Sequence, residues 1–127
     1  MSVVVDASAV LALLKGEVIP EEHLSRIPGA TISSLNLCEV VSKQTVAGVD
    51  ERVIRRAVTR LNLKVAAFDG ERAIRAGLLI SDTIPFGLSM GDRACVALGV
   101  ELGWPVLTAD RAWDRLRQAG FNIVMIR

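Results

Sequence analysis

The sequence contains few of the residues that usually mark zinc sites, disulfide frameworks or base-stacking surfaces. Its 127 residues include two cysteines, one histidine and no tyrosine, and aromatic residues make up only 4% of the chain. Cys38 and Cys95 are far apart in sequence, and the histidine is near neither of them. Because zinc ligands and disulfide scaffolds follow recognisable spacings, the sequence indicates neither kind of site. We expect two small buried thiols instead.

Long apolar runs and a strong charge of either sign are also absent. Hydrophobic residues make up 51% of the chain, but charges and glycines interrupt them before they reach the roughly 20 apolar residues of a transmembrane helix. No basic segment precedes an apolar stretch near the N-terminus, so no secretory signal is predicted. The formal net charge of +1 neither supports nor excludes a nucleic-acid partner. We expect one soluble, cytoplasmic domain over residues 1–127.

What the sequence does contain is a regular alternation of short β-branched runs with longer helical patterns. This alternation is typical of βα units and a mainly parallel sheet. Strands are predicted at 3–5, 30–33, 63–68, 106–108 and 122–126. Helices are predicted at 8–15, 21–27, 51–60, 70–81, 90–102 and 110–118, with one more that carries Glu39. Asp50 and Asp69 are expected to cap the helices that follow them. The pattern therefore predicts an α/β fold with about five strands.

Four acidic residues fall where an α/β sheet has its ligand-binding edge. Asp6 directly follows the first strand, Asp110 follows the fourth, and Glu39 and Asp92 lie in the first turns of their helices. The C-terminal ends of parallel strands and the N-termini of the following helices meet at one edge of the sheet. Asp114 lies one helical turn beyond Asp110, so it is a candidate fifth member. We expect these carboxylates to cluster at that edge.

Clustered carboxylates repel one another unless a cation neutralises them. All the candidate ligands here are hard oxygens, which suit Mg²⁺ or Mn²⁺. Such a metal activates a bound water for attack on phosphorus, which is phosphodiester chemistry. Each acid alone also fits an ordinary turn, helix cap or surface position, and Arg111 and Arg117 lie within reach of Asp114. Spacing alone therefore indicates only an acidic edge suited to a metal.

The segments around the acids carry a resemblance to a known family. They read VVVDASA at 3–9, ISSLNLCEV at 32–40, LSMGDRAC at 88–95 and PVLTADRAW at 105–113. In this order, and in a chain of this length, they resemble the PIN-domain nucleases, especially the VapC-type toxins of prokaryotic toxin–antitoxin pairs. The likeness runs from about residue 3 to the C-terminus. It implies a three-layer α/β/α PIN-like domain around a mainly parallel sheet of about five strands.

The resemblance also implies an activity and a site. The implied activity is an Mg²⁺- or Mn²⁺-dependent endoribonuclease that uses water as its nucleophile, and family members commonly cut structured RNAs such as tRNA or ribosomal RNA. Asp114 is implied to assist a second metal. Ser8 and Thr108 match hydroxyl positions that hydrogen-bond to the acids or to the metal-bound water, although a helix cap and a strand residue are equally good interpretations. The implied catalytic and metal-binding residues are Asp6, Glu39, Asp92 and Asp110. The implied partners are a VapB-type antitoxin and a second copy of the chain.

Arginines provide candidate contacts for RNA phosphates. Arg93 and Arg111 directly follow Asp92 and Asp110, where each can contact a substrate phosphate or pair with an acid. A second basic group on the fourth helix has helical spacing, which suits a phosphate backbone but is also common on solvated helix faces. Its members are Arg52, Arg55, Arg56 and Arg60.

Two other functions fit part of the pattern. A catalytically silent PIN-like scaffold would bind RNA or an antitoxin without cutting, and the intact acids argue against it. A phosphoaspartyl receiver-like domain also has acids at the edge of a parallel sheet. It needs a phosphate-pairing lysine late in the chain, and no lysine follows Lys64.

Overall fold

Five short parallel strands form the centre of the fold in the computed structural model, which describes residues 2–127. They are β1 (Val4–Val5), β2 (Thr31–Ser33), β3 (Lys64–Ala66), β4 (Val106–Thr108) and β5 (Ile123–Met125). The sheet order is β3–β2–β1–β4–β5, and every neighbouring pair is parallel. The predicted parallel sheet of five strands is therefore confirmed. Receiver-like domains have the order 2-1-3-4-5, so that alternative is wrong.

Helices connect the strands and cover both faces of the sheet. The described part of the chain has eight α-helices: α1 (Ala7–Leu14), α2 (Glu21–Leu24), α3 (Ser34–Val46), α4 (Glu51–Leu61), α5 (Gly70–Leu78), α6 (Ile80–Thr83), α7 (Met90–Leu102) and α8 (Asp114–Gln118). Two 3₁₀ turns, Ile84–Phe86 and Arg111–Trp113, precede α7 and α8. None of the helices in residues 2–127 combines the length and the apolar character needed to cross a bilayer.

The core lies on both faces of the sheet because side chains alternate along each strand. Val5 is fully buried on the face that α1 and α3 cover, where it packs with Ile32 and Leu107. Val4 is fully buried on the opposite face, in the cluster that includes residues of α7 and α8. The strands at the centre are therefore apolar on both sides, as expected for a parallel sheet between helices. This arrangement is the predicted three-layer α/β/α architecture.

Several predicted element boundaries are wrong. The strand predicted at 63–68 ends at Ala66, because the Phe68 N–H donates to the Ser34 hydroxyl at 2.9 Å rather than to β2. The helix predicted at 70–81 divides after Leu78, where the backbone tightens and the Asp82 N–H donates to the Leu79 carbonyl. The helix predicted at 21–27 is the shorter α2. The helix predicted at 110–118 begins as a 3₁₀ turn.

Helix α7 approaches the sheet closely at Gly99. A Cβ at this position would lie 2.5 Å from a methyl group of Val106 in β4 and 3.3 Å from the carbonyl of Trp104. Such distances are shorter than packed carbon atoms allow. The absence of a side chain at Gly99 therefore lets α7 lie directly against β4, with its N-terminus at the edge that follows the strands.

Candidate active site

Asp6 lies at the predicted edge, directly after β1, and only 5% of its surface is exposed. Its carboxylate caps α1, since Oδ1 accepts a hydrogen bond from the Ala9 N–H at 2.8 Å. The Ser8 hydroxyl lies 2.8 Å from both carboxylate oxygens. The Thr108 hydroxyl donates to Oδ2 at 2.6 Å. Donors from two distant parts of the chain therefore orient this carboxylate.

The hydroxyls of Ser8 and Thr108 join these two parts of the chain. Ser8 Oγ accepts from the Ala109 N–H at 2.9 Å and lies 3.2 Å from Thr108 Oγ1. Thr108 Oγ1 in turn accepts from the Asp110 N–H at 3.0 Å. Asp6 and not Ser8 is the N-cap of α1, so the interpretation of Ser8 as the cap is wrong. Both hydroxyls instead contact Asp6, the position that the resemblance implies.

Burial raises the pKa of Asp6 to about 6, because the charged carboxylate loses its contact with water. The hydrogen bonds from Thr108, Ala9 and Ser8 favour the charged form and lower this pKa again in part. The charge of Asp110 acts in the other direction and raises it further. A nearby cation would relieve both the desolvation and the repulsion.

Glu39 lies half-buried between α3 and α7. Its Oε1 accepts a hydrogen bond from Asn36 Nδ2 at 3.2 Å, and the same nitrogen donates to the Gly91 carbonyl at 3.0 Å. Burial raises the pKa of Glu39, the Asn36 hydrogen bond lowers it, and the charge of Asp92 raises it. Glu39 and Asp92 are therefore close enough to repel each other.

The carboxylates of Asp92 and Asp110 each accept a backbone N–H at the start of a helical segment. The Asp92 carboxylate accepts from the Ser89 N–H at 3.1 Å, and the Ser89 hydroxyl accepts from the Asp92 N–H, which forms a capping box. Asp110 Oδ1 accepts from the Ala112 N–H at 3.0 Å. The ordinary interpretation of these two acids as caps therefore describes their present contacts.

The thiol of Cys95 is affected by the charges of three of the acids. This thiol is fully buried in α7, and burial together with the charges of Asp6, Asp92 and Glu39 raises its pKa. The charges of three acids from three segments therefore act on one buried group. Cys38 is exposed on the outer face of α3, so the expectation of a buried thiol is wrong there.

The four acids are the right donors for a hard cation, but they do not yet form a closed set of ligands. No three Asp, Glu, His or Cys side chains within residues 2–127 are close enough to hold a metal as they are oriented. Asp92 and Asp110 face backbone N–H groups, and Glu39 faces Asn36. The residue types fit Mg²⁺ or Mn²⁺. Asp92 and Asp110 each use one carboxylate oxygen for a backbone N–H, and the other oxygen of each can serve as a ligand.

The structure does not bring Asp114 into this group. Its carboxylate accepts from Arg117 Nε at 2.7 Å and from Gln118 Nε2 at 2.9 Å. These hydrogen bonds, that from Arg117 above all, lower the pKa of Asp114. Asp114 therefore has partners on its own helix.

The two predicted phosphate-binding arginines lie in different environments. Arg93 extends to α5, where its Nη1 donates to the Ala76 carbonyl at 3.0 Å. Its Nε is buried and has no hydrogen-bond partner among the described residues. Arg111 is exposed at the start of the 3₁₀ turn before α8. The arginines of α4 are exposed as well, and Arg55 pairs with Glu51 at 2.8 Å.

Two residues at this site, Asn36 and Gly91, were not predicted from the sequence. Asn36 is a buried polar residue one turn before Glu39, and Gly91 directly precedes Asp92. Their positions close to Glu39 and Asp92 in the sequence are the signal that could have identified them. Their contact could not be read from the sequence, because it joins residues 55 positions apart.

A family model for the PIN domain matches residues 3–119 of the chain. No curated protein is similar enough in sequence to match it. Among solved structures, a toxin–antitoxin complex from Klebsiella pneumoniae has a TM-score of 0.75 and 17% identity, and the match covers 98% of each chain. DNA-bound VapBC from Salmonella typhimurium has a TM-score of 0.73 and 19% identity, with 100% of this chain and 99% of that chain covered.

A third structure is a VapC toxin from Mycobacterium tuberculosis described as cleaving the sarcin-ricin loop. Its TM-score is 0.68 and its identity is 19%, with 94% of this chain and 95% of that chain covered. At such low identities these likenesses establish a shared fold.

Proposed function

Because the chain belongs to the PIN domain family, we propose that it is a metal-dependent endoribonuclease and the toxin of a type II toxin–antitoxin pair. The observation that supports this proposal best is the environment of Asp6. Its buried carboxylate is oriented by three donors and destabilised by the neighbouring Asp110. Groups held in this way at a sheet edge are frequent at functional sites.

The proposed ligands of Mg²⁺ or Mn²⁺ are Asp6, Glu39, Asp92 and Asp110. When bound, such a metal supplies a Lewis acid and a water of lowered pKa for attack on the RNA phosphate. Asp6 is the fixed member, because hydroxyls hold both of its oxygens. Asp92 and Asp110 can exchange a backbone cap for a metal. Asp114 can assist a second metal only after it leaves Arg117 and Gln118.

The proposed substrate is a structured RNA, such as tRNA or ribosomal RNA. The relative from M. tuberculosis is described as cutting the sarcin-ricin loop, which supports a folded RNA as the substrate class. Arg111 is placed to contact a phosphate, since it is exposed and directly follows Asp110. Arg93 would first have to give up its contact with Ala76.

We also propose a VapB-type antitoxin as partner, a homodimeric assembly and a cytoplasmic location. The support for the antitoxin is that structural relatives are described as toxin–antitoxin and VapBC complexes. The homodimer and the location follow from the resemblance alone.

The test of the nuclease proposal is cleavage of total RNA by the purified protein with Mn²⁺, with Mg²⁺ and with EDTA. We expect cleavage only with metal, and a loss of at least roughly 100-fold in Asp6→Asn and Asp110→Asn. Asp50→Asn is a matched control, because Asp50 caps α4 in the way that Asp6 caps α1. It should cut at nearly the wild-type rate. No metal-dependent cleavage, or equal cleavage by Asp6→Asn, would contradict the proposal.

A silent scaffold is the second candidate, and one observation favours it. Asp92 and Asp110 are engaged as caps, and no three potential ligands converge within residues 2–127. A scaffold would bind RNA equally well in Mn²⁺ and EDTA and leave it intact. A filter-binding assay beside the cleavage assay separates the two functions.

A further inference from the structure

We propose that Asn36 is a positioning residue that holds the Glu39 carboxylate against Gly91, at the first turn of α7 and beside Asp92. The inference rests on the proposed function, in which Glu39 and Asp92 share a metal. Asn36 is 2% exposed and lies one turn before Glu39 in α3. Its Nδ2 contacts both Glu39 Oε1 and the Gly91 carbonyl. One amide group therefore joins an acid of α3 to the helix that carries Asp92.

The orientation of the Asn36 amide follows from its neighbours. Both Glu39 Oε1 and the Gly91 carbonyl are acceptors, so the nitrogen must face them. The other end of the amide, Oδ1, is then buried and has no hydrogen-bond partner among the described residues. A buried unpaired carbonyl is unfavourable for folding. An apolar residue would avoid this penalty, so we attribute the asparagine at this position to its hydrogen bonds with Glu39 and Gly91.

Gly91 completes this arrangement because it leaves room for the carboxylate. A Cβ at position 91 would overlap Glu39 Oε1 and would lie 2.8 Å from Glu39 Cδ. The backbone of Gly91 is not in the left-handed region, so a side chain here would act by displacing the Glu39 carboxylate and not by straining the backbone. The Glu39 carboxylate therefore lies over the first turn of α7, where it accepts from Asn36 and occupies the space that a side chain at position 91 would take.

The hydrogen bond from Asn36 therefore holds Glu39 in place although Asp92 repels it. Glu39 and Asp92 belong to different helices, and the charge of Asp92 disfavours the charged form of Glu39. Without Asn36, this repulsion would move Glu39 away from α7. Partners that orient metal-ligating carboxylates usually affect metal affinity and activity by 10- to 100-fold when removed, about the range we expect here.

The test uses Asn36→Leu, which resembles asparagine in its branching but has no donor, and Gly91→Ala, which leaves Asn36 in place. Thr45→Val is the matched control, because it removes an exposed hydrogen bond on α3 far from Glu39. For each protein we would measure the Kd for Mn²⁺ by calorimetry, the kcat and KM on an RNA oligonucleotide, and the Tm.

In both site variants we expect the Kd for Mn²⁺ to rise about 10- to 100-fold and kcat to fall by a similar factor. KM for RNA should change less than about threefold, and Thr45→Val should resemble the wild type. If Asn36→Leu does not fold, Asn36→Ala, which removes the same amide without adding apolar bulk, decides the outcome.

Variants with wild-type Mn²⁺ affinity and kcat would overturn the role of Asn36 and leave the nuclease proposal intact. A rise in KM with unchanged kcat and unchanged Mn²⁺ affinity would also overturn it, because it would assign Asn36 to RNA contact. A wild-type protein that binds Mn²⁺ without cutting RNA would contradict the nuclease proposal, while the calorimetry still decides the inference. A wild-type protein that neither binds nor cuts would contradict both.

Discussion

Asp6 combines a structural role with the proposed catalytic one. As the N-cap of α1, it satisfies a backbone N–H that would otherwise lack a partner. Its burial, however, disfavours the very charge that a metal site needs. A residue that makes the metal-free fold less stable at neutral pH is typical of a site selected for function.

The first prediction concerns the pH dependence of stability in EDTA. The pKa of Asp6 is 3.8 in the unfolded chain and about 6 when folded, so the folded protein holds this proton more tightly. Stability from this group is therefore present at low pH, and the free energy of unfolding falls as the pH rises from about 4 to about 6. The full loss is about 3 kcal/mol at 1.36 kcal/mol per pH unit. Asp6→Asn has no carboxyl group at this position, so its free energy of unfolding should not show this fall.

Urea unfolding at pH 4.5 and pH 7.5 measures this effect. Asp6→Asn should be more stable than the wild type by about 1–3 kcal/mol at the higher pH, and the difference should shrink at the lower pH. Asp50→Asn serves as the control for the substitution of an N-cap. An equal difference at both pH values would mean that Asp6 titrates normally.

The second prediction concerns the Thr108 hydroxyl, which donates to Asp6 and accepts from the Asp110 N–H. Thr108→Val keeps the shape but removes both contacts, so it should destabilise the protein by about 1–3 kcal/mol. RNA cleavage should fall about 10- to 100-fold, because Asp6 loses a group that orients it. Thr108→Ser restores the hydroxyl and should keep most of the activity. Equal cleavage rates in the two variants would show that the hydroxyl is dispensable.

At the level of elements, the sequence predicted most helix starts because the local caps are strong. Asp50 and Asp69 cap α4 and α5 as expected, and α7 has its predicted bounds. The errors arise where a distant group decides the structure. The third strand ends early because Ser34, 34 residues away, takes the Phe68 N–H. Structural propensities depend on neighbouring residues in the sequence, so they cannot account for a partner this far along the chain.

The third prediction concerns the close approach of α7 to β4 at Gly99. Gly99→Ala gains helix propensity but forces a methyl group into Val106, so we expect a net loss of about 1–3 kcal/mol. Gly77→Ala in α5 is the matched control, because its Cβ would have no atom within 4 Å. It should stabilise the protein by about 0.5–1 kcal/mol. Urea unfolding measures both, and a Gly99→Ala variant as stable as Gly77→Ala would mean that α7 can move away from the sheet.

For the whole molecule, the sequence predicted a parallel sheet and the edge at which the acids lie, but not the strand order. The order places β1 between β2 and β4, and this brings Asp6 beside Asp110. The sequence is compatible with capped orientations of Asp92 and Asp110 as well as with metal binding, and the structure has the capped orientation of both. The bridge from Asn36 to Gly91 depends on how two whole helices pack, so no local pattern predicts it.

The fourth prediction concerns metal binding to the whole fold. Mn²⁺ that binds only the folded state should raise its stability, by about 2.7 kcal/mol at 100 times the Kd. The rise in Tm should be larger at pH 7.5 than at pH 5, because protons compete for Asp6 below its pKa of about 6. Asp110→Asn should reduce the rise, while Asp114→Asn should keep it, since Asp114 is held by Arg117. A Tm that does not respond to Mn²⁺ would contradict a site formed by these acids.

The central position of β1 has a consequence for the synthesis of the protein. Thr108, which holds the Asp6 carboxylate, lies 102 residues further along the chain. During translation, β1 therefore cannot pair with its neighbour β4 until most of the polypeptide has been synthesised. Chains whose translation stops before residue 108 lack both Thr108 and Asp110. Under the proposed function, such chains have an incomplete group of acids, and we expect them not to cut RNA.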